Sequence, residues 1–125
     1  MKSILIVEDD SFLSDMYQTK FLSAGYDVRV ADDGEQCLQA LKDGFRPDVM
    51  LLDVVMPRMD GIELLAAVKK DDNFKNIPVI LLTNLGQESD IKRGMEMGAV
   101  DYLVKAHFTP SEVARKVEEI MKTRG

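Results

Sequence analysis

VMLLDVVMPRMDGIELLAAVKK, residues 49–70, decides how the chain is read. Residues 49–52 form an apolar run too short for a helix and bounded by Asp48 and Asp53, which reads as a strand buried on both faces. After Asp60 and Gly61 the period changes, and Ile62, Leu65 and Val68 share one helical face until polar residues end it near Asp72. The segment is one βα unit with an acid at the carboxyl end of its strand.

Runs of the same kind lie at 4–7, 26–31, 79–82 and 100–104, rich in Val, Ile and Leu. Between them the helical spacing returns. Phe12, Leu13, Met16, Tyr17 and Phe21 mark a first helix closed by Gly25, and Cys37, Leu38 and Leu41 mark a second followed by Gly44. A fourth runs from about Glu88 to Met97 and closes at Gly98. Thr109-Pro-Ser-Glu112 is a capping box with proline at the first helical position, so a fifth helix carries Val113, Val117, Ile120 and Met121 to about Lys122. Strands joined by helical crossovers need parallel neighbours, which gives an α/β fold with a doubly wound five-stranded sheet. A chain of 125 residues has room for one such domain, expected to span residues 1–125 with no appended output domain.

Composition excludes several functions. Twenty-two acids against sixteen bases leave a net charge of -6, and 46% hydrophobic with 30% charged residues is the balance of a folded chain. The excess acid lies in residues 1–87, which hold fifteen acids and nine bases, whereas residues 88–125 hold seven of each. Nucleic-acid binding wants a basic face, so direct contact with nucleic acid is not expected. No apolar run approaches the roughly 20 residues of a bilayer span, and Glu8, Asp9 and Asp10 cut short the N-terminal one, so neither a signal peptide nor membrane insertion is expected. Cys37 is the sole cysteine and reads as a small, half-buried helix residue. A reducing, cytoplasmic setting is the expectation.

Ligands of open parallel sheets bind beyond the carboxyl ends of the strands. Glu8, Asp9 and Asp10 follow the first strand, Asp53 ends the third, Thr83 and Asn84 the fourth, and Lys105 the fifth. Carboxylates brought together repel, which raises their pKa or demands a cation, and magnesium answers with carboxylate, water and phosphate ligands. An acidic trio facing a lysine therefore suits magnesium and a phosphoryl group. The plainer reading makes residues 8–10 a capped strand-to-helix turn, Thr83 a turn-capping hydroxyl and Tyr102 a half-buried sheet aromatic. No P-loop or G-x-G-x-x-G spacing is present, so the chain brings no nucleotide-binding loop. His107 reads as a loop residue, Gly61 and Pro57 as turn formers, and Met56 and Met59 as flanking groups that shield Asp53 or meet a partner.

ILIVEDD (4–10), LLDVVMPRMDG (51–61), LLTN (81–84) and DYLVK (101–105) resemble the signature blocks of the receiver domain of two-component response regulators, CheY-like proteins of two-component signal transduction. The resemblance implies a flavodoxin-like (βα)5 receiver fold with strand order 2-1-3-4-5. It implies that Asp53 is the phosphoacceptor, that Mg2+ is bound by Asp9, by Asp53, by the backbone carbonyl of Val55 and by Glu8 directly or through water, and that Thr83 and Lys105 contact phosphoryl oxygens. Tyr102 would be the aromatic switch residue that turns inward when Thr83 moves. The donor would be a sensor histidine kinase or a histidine phosphotransfer protein, and the output a protein target meeting the fourth helix, fifth strand and fifth helix. The chain would be a monomer or weak dimer and a regulator that assists its own phosphorylation and dephosphorylation, not an enzyme.

Departures from the family sharpen these expectations. Ala106 follows Lys105 where relatives usually carry proline, so the loop is either trans and rearranged or cis at a cost of about 2.5 to 4 kcal/mol. Val55 and Leu85 are apolar where many relatives place polar groups that guide water, and slow self-dephosphorylation is the expectation. A receiver-fold interaction module that needs no phosphorylation is the alternative, disfavoured by the intact set Glu8, Asp9, Asp53, Thr83 and Lys105. A flavin protein is opposed by the acids after the first strand. A small phosphatase would share Asp53 as nucleophile and differ in releasing phosphate continuously.

Overall fold

A computed structural model describes residues 2–56 and 59–124. Five strands, β1 (Ser3–Val7), β2 (Asp27–Ala31), β3 (Val49–Asp53), β4 (Val79–Thr83) and β5 (Asp101–Val104), alternate with five α-helices. These are α1 (Ser11–Ser23), α2 (Gly34–Lys42), α3 (Gly61–Lys70), α4 (Glu88–Glu96) and α5 (Pro110–Arg124). The strands pair in parallel in the order β2-β1-β3-β4-β5, the doubly wound sheet the sequence implied.

Side chains alternate across a pleated strand, so each central strand feeds two cores. Ile4, Ile6, Leu51, Ile80 and Leu82 face Tyr17 and Phe21 of α1 and Val113 and Val117 of α5. Leu5, Val7, Met50, Leu52, Val79 and Leu81 face Cys37 and Leu41 of α2 and Ile62, Leu65 and Val68 of α3. Helix starts follow local chemistry. Asp10, Asp33 and Asp60 accept from the backbone N–H groups of Leu13, Gln36 and Glu63, caps worth about 1 kcal/mol each. The capping box closes in both directions: Glu112 N–H donates to Thr109 Oγ1 at 3.2 Å, and Thr109 N–H to Glu112 Oε1 at 2.9 Å.

Some expectations need correction. Only β1, β3 and β4 are buried on both faces; β2 and β5 are the sheet margins, each with a strand neighbour on one side only, and both are half-buried. Phe12, taken as part of the apolar face of α1, is 70% exposed, because the sheet-facing positions are Ser14, Tyr17 and Phe21. Cys37 is fully buried, not half-buried, and its thiol is pushed up to about 12 by that burial. The Lys105–Ala106 bond is trans, and Lys105–His107 form a single 3₁₀ turn with His107 exposed on it. Pro57, read as a loop stiffener, lies outside the described residues. Met56 is buried in the core, and Met59 packs on the first residue of α2, where a Cβ on Gly34 would meet its sulfur at 2.9 Å.

Candidate functional site

Each acid and hydroxyl singled out above sits at the carboxyl end of its strand. β1 delivers Glu8, which is 1% exposed, and the exposed Asp9; Asp10 turns away to cap α1. β3 ends in Asp53, 2% exposed, and β4 in Thr83, 1% exposed. The 3₁₀ turn after β5 sends Lys105 back over the sheet.

Lys105 Nζ lies 2.6 Å from Glu8 Oε1 and 3.1 Å from Asp53 Oδ2. The other oxygens are occupied as well, since Glu8 Oε2 accepts from Asp10 N–H at 3.1 Å and Asp53 Oδ1 from Val55 N–H at 3.1 Å. One carboxylate oxygen each from Glu8, Asp9 and Asp53 lies within 4.8 Å of the others, a spacing one cation can bridge. Three hard oxygen donors, two of them buried beside a single ammonium, suit magnesium.

The charges shift one another as this crowding requires. Asp53 is pushed up to about 8, first by burial, then by its hydrogen bond with Glu8 and repulsion from it, with Lys105 acting in the opposite sense. Burial alone would lower Lys105, but Glu8 and Asp53 more than offset it and hold the ammonium above its ordinary value. A buried acid that keeps its proton near neutrality is poised to exchange it for a metal ion.

Thr83 Oγ1 donates to Leu103 O across the β4–β5 pair at 3.4 Å, so its hydroxyl faces β5. Tyr102 stands outward, 41% exposed, in an open groove of about 620 Å³ against α5 that also takes in Val104, Phe108 and Ile120. The acid cluster lies outside that groove. Val55 and Leu85 are 47% and 67% exposed.

Two features escape a linear reading. Tyr17, an apparent core aromatic, lies within the electrostatic field of the cluster: its hydroxyl is pushed up to about 12, chiefly by burial, with Lys105 acting in the opposite sense and Glu8, Asp53 and Asp10 adding to the rise. Gly61 is more than a turn former. A Cβ there would fall 2.2 Å from the carbonyl oxygen of Asp53, and its N–H donates to Val54 O at 2.7 Å, so α3 begins pressed against the backbone that carries the acid.

Residues 4–118 match the model of the response regulator receiver domain. RpaA of Synechocystis sp., named a DNA-binding dual master transcriptional regulator, is 38% identical over 122 residues, which are 98% of this chain and 50% of that protein. The chain spans about half the length of the curated relatives it matches. Among solved structures, the receiver domain of the Francisella response regulator 1452 aligns over 100% of both chains at 32% identity with a TM-score of 0.85. The Mn(2+)-bound form of response regulator Rcp1 aligns over 95% of this chain and 93% of its own at 28% identity with a TM-score of 0.84.

Proposed function

Because this chain belongs to the response regulator receiver family, we propose that it is the phosphoacceptor switch of a two-component pathway, with Asp53 taking the phosphoryl group from a phosphohistidine on a sensor histidine kinase or a histidine phosphotransfer protein. The observation that carries this reading is the buried Asp53 carboxylate, hydrogen-bonded to Lys105 Nζ and within 4.8 Å of carboxylate oxygens of Glu8 and Asp9. In the transfer, the P–N bond to the donor histidine breaks as a bond forms between phosphorus and an Asp53 carboxylate oxygen. Transfer of this kind asks the protein chiefly for alignment and for neutralisation of charge on the equatorial oxygens. Lys105 supplies one positive charge by following the phosphoryl oxygens. Mg2+ held by Asp9, Asp53, the Val55 carbonyl and, directly or through water, Glu8 would supply the remaining charge neutralisation. That a similar receiver is known with Mn2+ bound supports a divalent cation here.

Thr83 would exchange the Leu103 carbonyl for a phosphoryl oxygen, opening space beneath Tyr102, whose exposed ring would turn inward and reshape the α4, β5 and α5 face. The modification acts by its differential stabilisation of two states of that face. The output is read as a protein contact there; the DNA binding named for the Synechocystis relative is that of the whole protein, of which this chain matches half. The protein acts once per phosphorylation as a regulator and does not turn over substrate.

Incubation with Mg2+ and acetyl phosphate, followed by intact mass, tests the reading. One added phosphoryl group that Asp53→Asn abolishes supports it. A folded, magnesium-binding protein that gains no mass contradicts it, and phosphate release far beyond one equivalent points to a phosphatase.

A further inference from the structure

The edge of the sheet opposite the acids holds a cavity of a different kind. The residues that lead into β1, β2 and β3 meet the end of α5 there, and Lys2, Tyr26, Asp48, Val49, Met121 and Lys122 line about 290 Å³. Val49 is 1% exposed and Tyr26 5%, and the Tyr26 ring is held edge-on to Phe21 with centroids 5.2 Å apart. The Tyr26 hydroxyl is buried and has no hydrogen-bond partner among the described residues. A buried donor left without an acceptor is costly, and such groups in folded proteins are paired as a rule. Burial first, then Glu118 and Asp48, raises the pKa of this phenol, so it stays protonated and remains a donor. Both carboxylates have other partners: Asp48 Oδ2 accepts from Ser3 N–H at 2.8 Å and from the Ser3 hydroxyl at 3.3 Å, and Glu118 lies 3.9 Å from Lys2 Nζ. Lys122 forms no ion pair among the described residues.

From this convergence we infer that the amino edge of the sheet is a binding site for a small carboxylate with an apolar body, the size of one ring or one branched chain. The carboxylate accepts from the Tyr26 hydroxyl and pairs with the Lys122 ammonium, and the body lies against Val49 and Met121. An unused hydroxyl and an unused ammonium in one cavity select an anion. A volume at the lower end of small-molecule sites suits a single ring and is too small for a nucleotide. The long, unbranched side chains of Met121 and Lys122 are the walls that can yield to admit it. An occupant would join the last turns of α5 to three strands, at the edge away from Asp53.

The site is separate from the proposed function and is tested without it. Benzoate is titrated into the 15N-labelled protein and followed by NMR, with benzamide, its neutral counterpart, in parallel. Benzoate shifts the amides of Lys2, Tyr26, Val49 and Lys122 saturably and binds at least about 5-fold more tightly than benzamide. Tyr26→Phe and Lys122→Met each weaken it by about 5-fold or more. No saturable shift at these positions, equal affinity for benzamide, or unchanged binding in either variant overturns the inference. Tyr26→Phe keeps the ring and also reads the free protein. A hydroxyl without a partner gives the variant a thermal midpoint equal to or above that of the wild type. A fall of more than about 2 °C means that the hydroxyl is already satisfied, by water or by a side chain, and overturns the inference.

Discussion

α3 and α4 cover the same face of the sheet and are nearly the same length, yet they are held very differently. α3 buries Gly61, Ile62, Leu64, Leu65 and Val68 and is capped by Asp60. α4 buries only Gly94 and has no side-chain cap at Gln87. Gly94 lets α4 lie close, since a Cβ there would meet Leu81 Cδ1 at 2.4 Å, but glycine brings no apolar area of its own. The helix that starts against the Asp53 backbone is fastened, and the helix that follows Thr83 rests on the surface. A fixed acid beside a loosely attached helix is the division of labour a switch needs, because elements with few buried contacts reposition at the lowest cost.

The comparison breaks first at stability. Leu65→Ala in α3 should cost about 2–5 kcal/mol and Met95→Ala in α4 within about 0.5 kcal/mol, read from urea unfolding. Equal losses would mean that α4 is as firmly packed as α3. Next comes pH. Folded Asp53 keeps a proton up to about 8 whereas the unfolded chain releases it near the ordinary value of 3.8, so the folded state binds more protons between them. Its contribution to the stability of the metal-free protein is therefore full below the lower value, declines as pH rises through the window and is gone above about 8. The thermal midpoint of the wild type should fall by several degrees relative to Asp53→Asn across that range, and Mg2+ should recover the difference at the alkaline end.

The contrast extends to dynamics and to the lifetime of the signal. Amide hydrogen exchange should be about 10-fold faster in α4 than in α3 before phosphorylation, and phosphorylation should alter α4 and β5 while leaving α3 unchanged. A uniform response across both helices would erase the distinction. The smallest effect concerns water. Polar replacements at Val55 and Leu85 together should shorten the phosphorylated half-life by about 3-fold or more, measured by loss of the added mass, because they offer an attacking water the polar groups it lacks. An unchanged half-life would count against slow self-dephosphorylation as a consequence of these two apolar side chains.

What sequence makes legible here is local chemistry. Thr109 and Glu112 cap each other as their spacing requires, and Asp53, Glu8 and Asp9 converge because the carboxyl ends of parallel strands share one edge. What it hides depends on tertiary closure. Glu8 meets Lys105 only once two strands separate β1 from β5, and nothing within ILIVEDD or DYLVK predicts a 2.6 Å contact between their ends. Phe12 misleads because apolar spacing on a helix shows a face without saying what covers it. Gly94 is silent in sequence, since its role is defined by the absence of a side chain beside Leu81. The missing proline after Lys105 left two loops open, and the trans 3₁₀ turn is the one adopted.

The sheet margins carry a different consequence. An outer strand offers unpaired amide and carbonyl groups that another chain can copy, the first step toward fibrous association. β2 alternates exposed Asp27 and Arg29 with half-buried valines, and β5 is only four residues long, opening with Asp101 and followed at once by Lys105. A docking strand would have to seat charges against its own backbone on one side and would run out of template on the other. Tyr102 and its groove thereby stay exposed beside an outer strand that makes a poor template for another.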